Sequence, residues 1–206
     1  MKVILVNGSP DLEGCTYTAL TLVAEQLEER GIETQIFQLG QGAIEGCRDC
    51  RVCRKTGTCV VGDVVNEFLE LAEGADGFVF GSPVHFAGAG GKLTSFLDRA
   101  FFSGGKLFRH KVGAVVVSAR RGGTTAALDQ LIKYVTYAQM PIATSNYWNM
   151  VHGTTPEEVR QDLEGVQIMQ VLGQNMAWLL KSIEAGRAAG VEAPPVVQKA
   201  FTNFIR

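Results

Sequence analysis

Three short runs of apolar residues limit what this chain can fold into more than any other feature of its sequence. They read Val-Ile-Leu-Val at residues 3–6, Gly-Phe-Val-Phe at residues 77–80 and Val-Gly-Ala-Val-Val-Val at residues 112–117. Runs without alternating polar residues are typical of parallel strands that are covered on both faces of a sheet. The chain is therefore predicted to build its core around a parallel sheet.

Segments with helical periodicity separate these runs. In the first of them, Leu20, Val23, Ala24 and Leu27 fall at i, i+3, i+4 and i+7 and form one apolar face. Helices are predicted at about residues 16–30, 65–72, 93–101 and 124–139, with a long last helix around residues 172–183. Further strands are predicted at residues 33–39 and 142–148. This alternation indicates an α/β fold, a doubly wound parallel sheet with helices on both faces.

Composition restricts the class of protein further. With 206 residues, 46% of them apolar, the chain suits one domain, predicted at residues 1–190, with a C-terminal tail at residues 191–206. A formal charge of −2 offers no basic field for nucleic acid. The sequence has no apolar run of membrane length, so no membrane partner is predicted.

The cysteines form the most unusual local pattern. Four of the five lie within residues 46–60, hereafter the cysteine segment, with the spacing C-x2-C-x2-C-x5-C. These four clustered cysteines are Cys47, Cys50, Cys53 and Cys59. Bunched cysteines do not resemble a secreted disulfide framework, so a reducing cytoplasm is the predicted location.

Four thiolates so close in the chain can converge on an iron–sulfur cluster, and no histidine in the segment competes as a ligand. A four-cysteine zinc site, a disulfide and free thiols are the alternative interpretations. The basic residues of the segment are expected to favour the thiolate form that binds metal. They are Arg48, Arg51, Arg54 and Lys55.

Ligands of open α/β sheets bind beyond the carboxyl ends of the strands, so the loops that follow three predicted strands are candidate sites. The candidate residues of the first loop are Ser9, Pro10, Gly14, Cys15, Thr16, Tyr17 and Thr18. Those of the second loop are Ser82, Pro83, Val84, His85, Phe86 and Gly88. Those of the third loop are Ser118, Arg120, Gly122 and Gly123.

Each loop suggests a different contact. The first combines glycines, hydroxyls and a helix start, which suits a phosphate, although Asp11 and Glu13 add opposing charge. An ordinary helix start capped by Thr16 is the alternative. In the second loop, His85 and Phe86 can pack against a ring. In the third, Arg120 can face a phosphate or a nucleotide, or lie in solvent.

Three motifs in order resemble a known family. They are Gly8-Ser9-Pro10 with Gly14 and Thr16, then Gly81-Ser82-Pro83-Val84, then Leu97-Asp98-Arg99. Together they resemble the NAD(P)H-dependent flavin mononucleotide (FMN) reductases of the flavodoxin-like fold, over most of residues 1–148. With the clustered cysteines added, the chain is similar to the iron–sulfur flavoprotein branch of that family.

The resemblance implies a five-stranded sheet of order 2-1-3-4-5, with the FMN phosphate in the first loop and the isoalloxazine ring against residues 83–88. The chain departs from the family's usual pattern at Asp11, where a basic residue is common, and at His85, where an aromatic residue is common.

The function that follows is that of a flavin-dependent oxidoreductase. It would take hydride from a nicotinamide nucleotide and pass electrons to an unknown acceptor, through an iron–sulfur cluster, of the four-iron type, if one is present. The alternatives are an electron carrier without its own substrate and a cysteine-based redox or metal-sensing module. The long last helix and the apolar tail, with Phe201, Phe204 and Ile205, predict a homo-oligomer, either a dimer or a tetramer.

Overall fold

A computed structural model of the protein describes residues 1–204, in which strands and helices alternate along the chain. The strands are β1 (Lys2–Asn7), β2 (Glu33–Gln38), β3 (Gly77–His85), β4 (Gly88–Ala89), β5 (Val112–Ala119) and β6 (Met150–His152). The helices are α1 (Cys15–Glu28), α2 (Cys53–Thr56), α3 (Val64–Glu73), α4 (Gly91–Gly104), α5 (Thr124–Tyr137), α6 (Pro156–Gln161) and α7 (Leu163–Ala188). A 3-10 turn at Gly105–Leu107 follows α4.

The strands form one sheet of order β2-β1-β3-β5-β6, and all of these neighbours pair in parallel. The two-residue strand β4 lies off this path and forms an antiparallel hairpin with the end of β3. With this hairpin set aside, the sheet has the predicted order 2-1-3-4-5. The predicted fold class is therefore confirmed.

The core lies on both faces of the sheet, as the uninterrupted apolar runs predict. Alternate side chains of each strand point to opposite faces. On one face Leu5 and Val79 pack with α1 and α7. On the other face Ile4 and Phe78 pack with α3, α4 and α5.

The last strand of the sheet is not where the sequence predicts it. The prediction of a strand at residues 142–148 is wrong, because Ile142 makes only an isolated bridge to Gly113 and the paired strand is β6, further along the chain. The Ser145 hydroxyl explains the difference, since it donates to the Tyr147 carbonyl oxygen at 2.6 Å and lies 2.7 Å from Asn149 Oδ1. Such local side-chain bonds compete with a strand ladder and turn the chain away from the sheet.

Helix α7 packs closely against α1. A Cβ atom at Gly173 would lie 2.6 Å from Gln26 Cβ and 2.8 Å from the Val23 carbonyl oxygen, so only glycine permits this approach.

Residues 191–204 follow as an exposed segment without helix or strand, and Ile205 lies outside the described residues. The division into a domain and a tail stays a prediction. Within residues 1–204, no helix combines the length and apolar character needed to cross a membrane.

Candidate functional site

The fold brings the three predicted loops together at the carboxyl edge of the sheet. The Gly8 N–H donates to the Gly81 carbonyl oxygen at 2.9 Å and joins the first loop to the second. The hydroxyls of Thr16 and Ser118 lie 2.8 Å apart and join the first loop to the third. Gly123 adopts a left-handed φ of 93°, and a Cβ atom there would lie 2.6 Å from Ala87 Cα, so the third loop contacts the second.

Asn7, at the end of β1, organises the first loop, although no motif in the sequence marks it. Its side chain is fully buried, and its Oδ1 accepts the Ser9 N–H at 3.1 Å. Its Nδ2 donates to Gln38 Oε1 at 2.8 Å and to the Asp11 carbonyl oxygen at 3.3 Å. These bonds tie the first loop to the end of β2, where the chain departs toward the cysteine segment.

The first loop already holds an anionic group where α1 begins. The Asp11 carboxylate accepts the Glu13 N–H at 3.2 Å, and a Cβ atom at Gly14 would lie 2.5 Å from Asp11 Oδ2. Gly14 is the N-cap and makes no side-chain cap bond. The alternative role of Thr16 as the cap is therefore wrong. The loop accommodates negative charge, as a phosphate requires, but a phosphate there competes with Asp11.

The other candidate residues of the first loop face different partners. The Cys15 thiol donates to the Gly153 carbonyl oxygen at 3.5 Å, and burial raises the pKa of this thiol above its ordinary value. Thr18 is buried and its hydroxyl donates to the Gly14 carbonyl oxygen at 3.1 Å. Pro10 is exposed and Tyr17 is half-buried. The hydrogen bond of Cys15 therefore joins it to Gly153 and not to the cysteine segment.

The second loop is a strained hairpin. Strand β3 continues past Ser82, whose buried hydroxyl accepts the Gly90 N–H at 2.9 Å and donates to the Pro83 carbonyl oxygen at 2.8 Å. At the tip, Phe86 and Ala87 both adopt left-handed conformations, with φ of 49° and 59°. Such conformations are costly for residues other than glycine and cluster at functional sites. The Phe86 ring at this tip is fully exposed.

The remaining residues of the second and third loops surround this tip. Val84 and Gly88 are half-buried, whereas His85 and Gly122 are exposed. Arg120 is exposed, and within residues 1–204 it forms no ion pair. It is therefore available to an anionic ligand at the same edge of the sheet.

The four clustered cysteines line one pocket, hereafter the cysteine pocket, although they belong to a segment with little regular structure. Asp49 and Arg51, on either side of Cys50, have left-handed φ of 47° and 60°, which turn the backbone sharply around this cysteine. In the described part of the chain, no three His, Cys, Asp or Glu side chains are positioned to hold a metal ion. The pocket thus brings four thiols to one place, but not in the arrangement of a preformed metal site.

Two of the basic residues of the segment also have acidic partners. Arg48 pairs with Glu45, and Arg51 pairs with Asp49 at 3.1 Å, so acidic neighbours offset their charge. Burial raises the pKa of the Cys53 thiol, and the neighbouring thiols of the pocket raise it further. Burial and the neighbouring thiols therefore oppose the thiolate form of Cys53, and the effect of the basic residues stays a prediction.

Arg99, on α4, holds the cysteine segment against the domain. Its side chain is 1% exposed, and all of its guanidinium N–H groups have acceptors. Its Nη atoms donate to both Asp63 carboxylate oxygens, at 2.6 and 2.7 Å. They also donate to the carbonyl oxygens of Glu45 at 3.3 Å and Val61 at 3.1 Å. Its Nε donates to Cys59 Sγ at 3.3 Å.

Asp63 is the charge partner of this arginine and also the N-cap of α3, where it accepts the Val65 N–H at 3.1 Å. Burial opposes ionisation of this carboxyl, but the bonds from Arg99 and Val65 outweigh burial and hold its pKa below the ordinary value. The same pairing raises the pKa of Arg99. The buried Arg99 and its partner Asp63 therefore join α3 and α4 to the two residues that flank the cysteine segment.

The fold and the position of the loops define a class of protein, the flavodoxin-like α/β proteins, which bind ligands at this edge of the sheet. A solved structure agrees with this class. The structure of RosB with a bound riboflavin-5′-phosphate intermediate matches with a TM-score of 0.71, covering 100% of this chain and 92% of that one. At 14% identity this likeness shows the fold alone.

The chain belongs to the NADPH-dependent FMN reductase family, whose model matches residues 1–155. It is therefore an NAD(P)H-dependent flavin oxidoreductase that uses FMN. An iron–sulfur flavoprotein of Methanocaldococcus jannaschii is 31% identical over 89% of this chain and 100% of its own length. An FMN reductase (NADPH) of Pseudomonas putida is 27% identical over 80% of this chain and 81% of its own.

Proposed function

We propose that this oxidoreductase uses FMN and an iron–sulfur cluster together to pass electrons from NAD(P)H to an acceptor. The observation that carries the proposal is the single pocket lined by all four clustered cysteines. The chain enters the cysteine segment after the end of β2. Because β2 pairs in parallel with β1, the segment begins at the same edge of the sheet as the first loop proposed for FMN. Relatives over nearly the whole chain are iron–sulfur flavoproteins, which supports the same assignment.

The three loops are proposed to hold FMN. When bound, FMN exchanges two electrons with a nicotinamide and single electrons with one-electron partners. The backbone and hydroxyls of residues 9–18 would hold the phosphate near the start of α1, where Asp11 would compete with it. Residues 82–88 and 118–123 pack along the ring system. The buried hydroxyl pair of Thr16 and Ser118 keeps the first and third loops at a fixed separation.

The four clustered cysteines are proposed to hold the cluster, most simply of the four-iron type. When bound, such a cluster transfers one electron at a time. The donor set fits, because four thiols share one pocket and no histidine lies in the segment. Binding requires the four thiols to deprotonate and to converge on the cluster. Cys15 is excluded from this set because its thiol is bonded to Gly153.

The proposal is tested on protein purified without oxygen. FMN, iron, acid-labile sulfide and zinc are measured in one sample, and NAD(P)H oxidation is then assayed. We expect flavin, iron and sulfide together, and NAD(P)H consumption when an artificial acceptor is added. Flavin without iron and sulfide would contradict the cluster, and zinc in its place would identify a structural metal site. Bound flavin with no NAD(P)H oxidation would indicate a carrier without its own substrate.

We also propose that the protein forms a homo-oligomer in a reducing cytoplasm. Large apolar side chains stay uncovered on α7 and on the tail, among them Leu163, Trp178, Phe201 and Phe204. Exposed apolar surface of this kind is typical of subunit contacts. Light scattering should give a dimer or tetramer mass at micromolar concentration, and a monomer mass would contradict this proposal.

A further inference from the structure

A cavity of about 740 Å³ opens beside the cysteine pocket, and the function proposed above does not use it. Its walls come from α2, the end of α4, the 3-10 turn and the end of α5. Cys53, Phe102 and Ser103 line both this cavity and the cysteine pocket. A molecule in this cavity, hereafter the basic cavity, would therefore be separated from the clustered cysteines by a single shared wall.

The basic cavity concentrates positive charge. Four of its lining residues are cationic and none is acidic; the cations are Arg54, Lys55, Lys106 and Arg109. In the part of the chain that the structure describes, none of the four forms an ion pair. The whole chain carries a formal charge of −2, so this charge is a local feature. Unpaired cations around a concave surface attract anions.

Aromatic rings line the same cavity. Phe102 is 43% exposed and Tyr137 is 75% exposed, so solvent reaches part of both rings. The Arg54 guanidinium lies 5.7 Å from the centroid of the Phe102 ring. Lys199, from the tail, lies 4.6 Å from the Tyr137 ring centroid and 3.0 Å from its hydroxyl. Rings and cations arranged in this way suit a ligand that is both planar and negatively charged.

We propose that the basic cavity binds the electron acceptor of this enzyme, and that the acceptor is a small planar aromatic anion. Its volume of about 740 Å³ lies within the usual range for small-molecule sites, roughly 300–1,000 Å³. The assignment rests on the proposed function, because the shared wall with the cysteine pocket identifies the ligand as an acceptor.

The reaction with such an acceptor balances. A hydride from NAD(P)H supplies two electrons and one proton, and solvent supplies a second proton. An acceptor of quinone type is thereby reduced to a hydroquinone, and NAD(P)⁺ is released.

Binding of oxidised anthraquinone-2,6-disulfonate to the purified holoprotein, measured by calorimetry without nicotinamide, tests the site independently of turnover. The test variant is Lys106→Gln with Arg109→Gln, which removes two cations from the cavity. The matched control is Lys181→Gln with Arg187→Gln, which removes two exposed cations from α7. We expect the dissociation constant to rise at least tenfold in the test variant and to stay unchanged in the control. Uncharged 2-(hydroxymethyl)anthraquinone should lose no affinity in either variant.

Steady-state kinetics provide the second measurement. In the test variant the KM for the disulfonate should rise about tenfold, whereas the KM for neutral menadione should rise much less and the KM for NADPH should not rise. An unchanged dissociation constant for the disulfonate would overturn the proposal. A raised KM for NADPH would also overturn it, because the cavity would then bind the nucleotide. Failure of wild type to oxidise NAD(P)H with menadione would instead contradict the proposed function, and calorimetry would still decide whether the cavity binds planar anions.

Discussion

Replacing Asp63 with alanine is expected to destabilise the protein strongly, because it leaves the buried Arg99 guanidinium without its charge partner. The Arg99 side chain is 1% exposed and that of Asp63 is 29% exposed. Removing one partner of a buried ion pair costs about 3–5 kcal/mol. Loss of the N-cap of α3 adds about 0.5–2 kcal/mol. Because water reaches part of the Asp63 site, the loss of the ion pair should cost less than in a fully buried site. We therefore expect the total loss of unfolding free energy, with the cap included, to be about 4 kcal/mol.

Asparagine at the same position separates the two contributions. Asp63→Asn keeps the N-cap, since asparagine caps helices as well as aspartate does, but it removes the negative charge. It should therefore cost less than the alanine variant, about 1.5–3 kcal/mol, the usual value of hydrogen bonds to a charged group. Asp49→Ala is the matched control, because it breaks an exposed ion pair with Arg51 within the cysteine segment. Exposed pairs contribute little, so its stability should stay close to wild type.

Urea unfolding of the metal-free, reduced proteins at neutral pH gives the free energies by linear extrapolation. Domains of this kind are stable by about 5–15 kcal/mol, so the alanine variant should unfold at a clearly lower urea concentration. Equal stabilities of Asp63→Ala and Asp49→Ala would refute the reasoning. That result would mean that Arg99 is solvated in solution and that the cysteine segment is not anchored to α4.

Three further predictions concern pH, flavin and metal. The folded-state pKa of Asp63 lies below its unfolded value of about 3.9, so its stabilising effect is complete above that pH and is lost as the pH falls through the folded-state pKa. Urea titrations should therefore show a steeper acid loss of stability in wild type than in Asp63→Asn. Thr16→Glu should abolish FMN binding, because it adds a buried negative charge beside the phosphate, whereas Thr16→Ser should keep it; equal affinity in both would contradict the phosphate site. Cys15→Ser should retain iron and sulfide, and serine at any of the four clustered cysteines should lower both; an unaltered visible spectrum in the latter would exclude them as ligands.

Much of the fold could be predicted because its signals are local. Uninterrupted apolar runs mark β1 and β5 as buried on both faces, and this depends only on neighbouring residues. The strand predicted at residues 142–148 failed because the Ser145 hydroxyl bonds to its own backbone, which no hydrophobic period reveals. Arg99 and Asp63 are 36 positions apart, and only the folded chain shows that they pair. The Leu97-Asp98-Arg99 motif marked this position without indicating its role.

The five hydrogen bonds of Arg99 also have an entropic consequence. Glu45 precedes the clustered cysteines and Val61 follows them, and one guanidinium binds both carbonyl oxygens. The chain between these points is thus a closed loop, and closing it has already removed much of the freedom that a free segment of equal length would have. Ordering the thiols around a ligand then costs less, which is preorganisation.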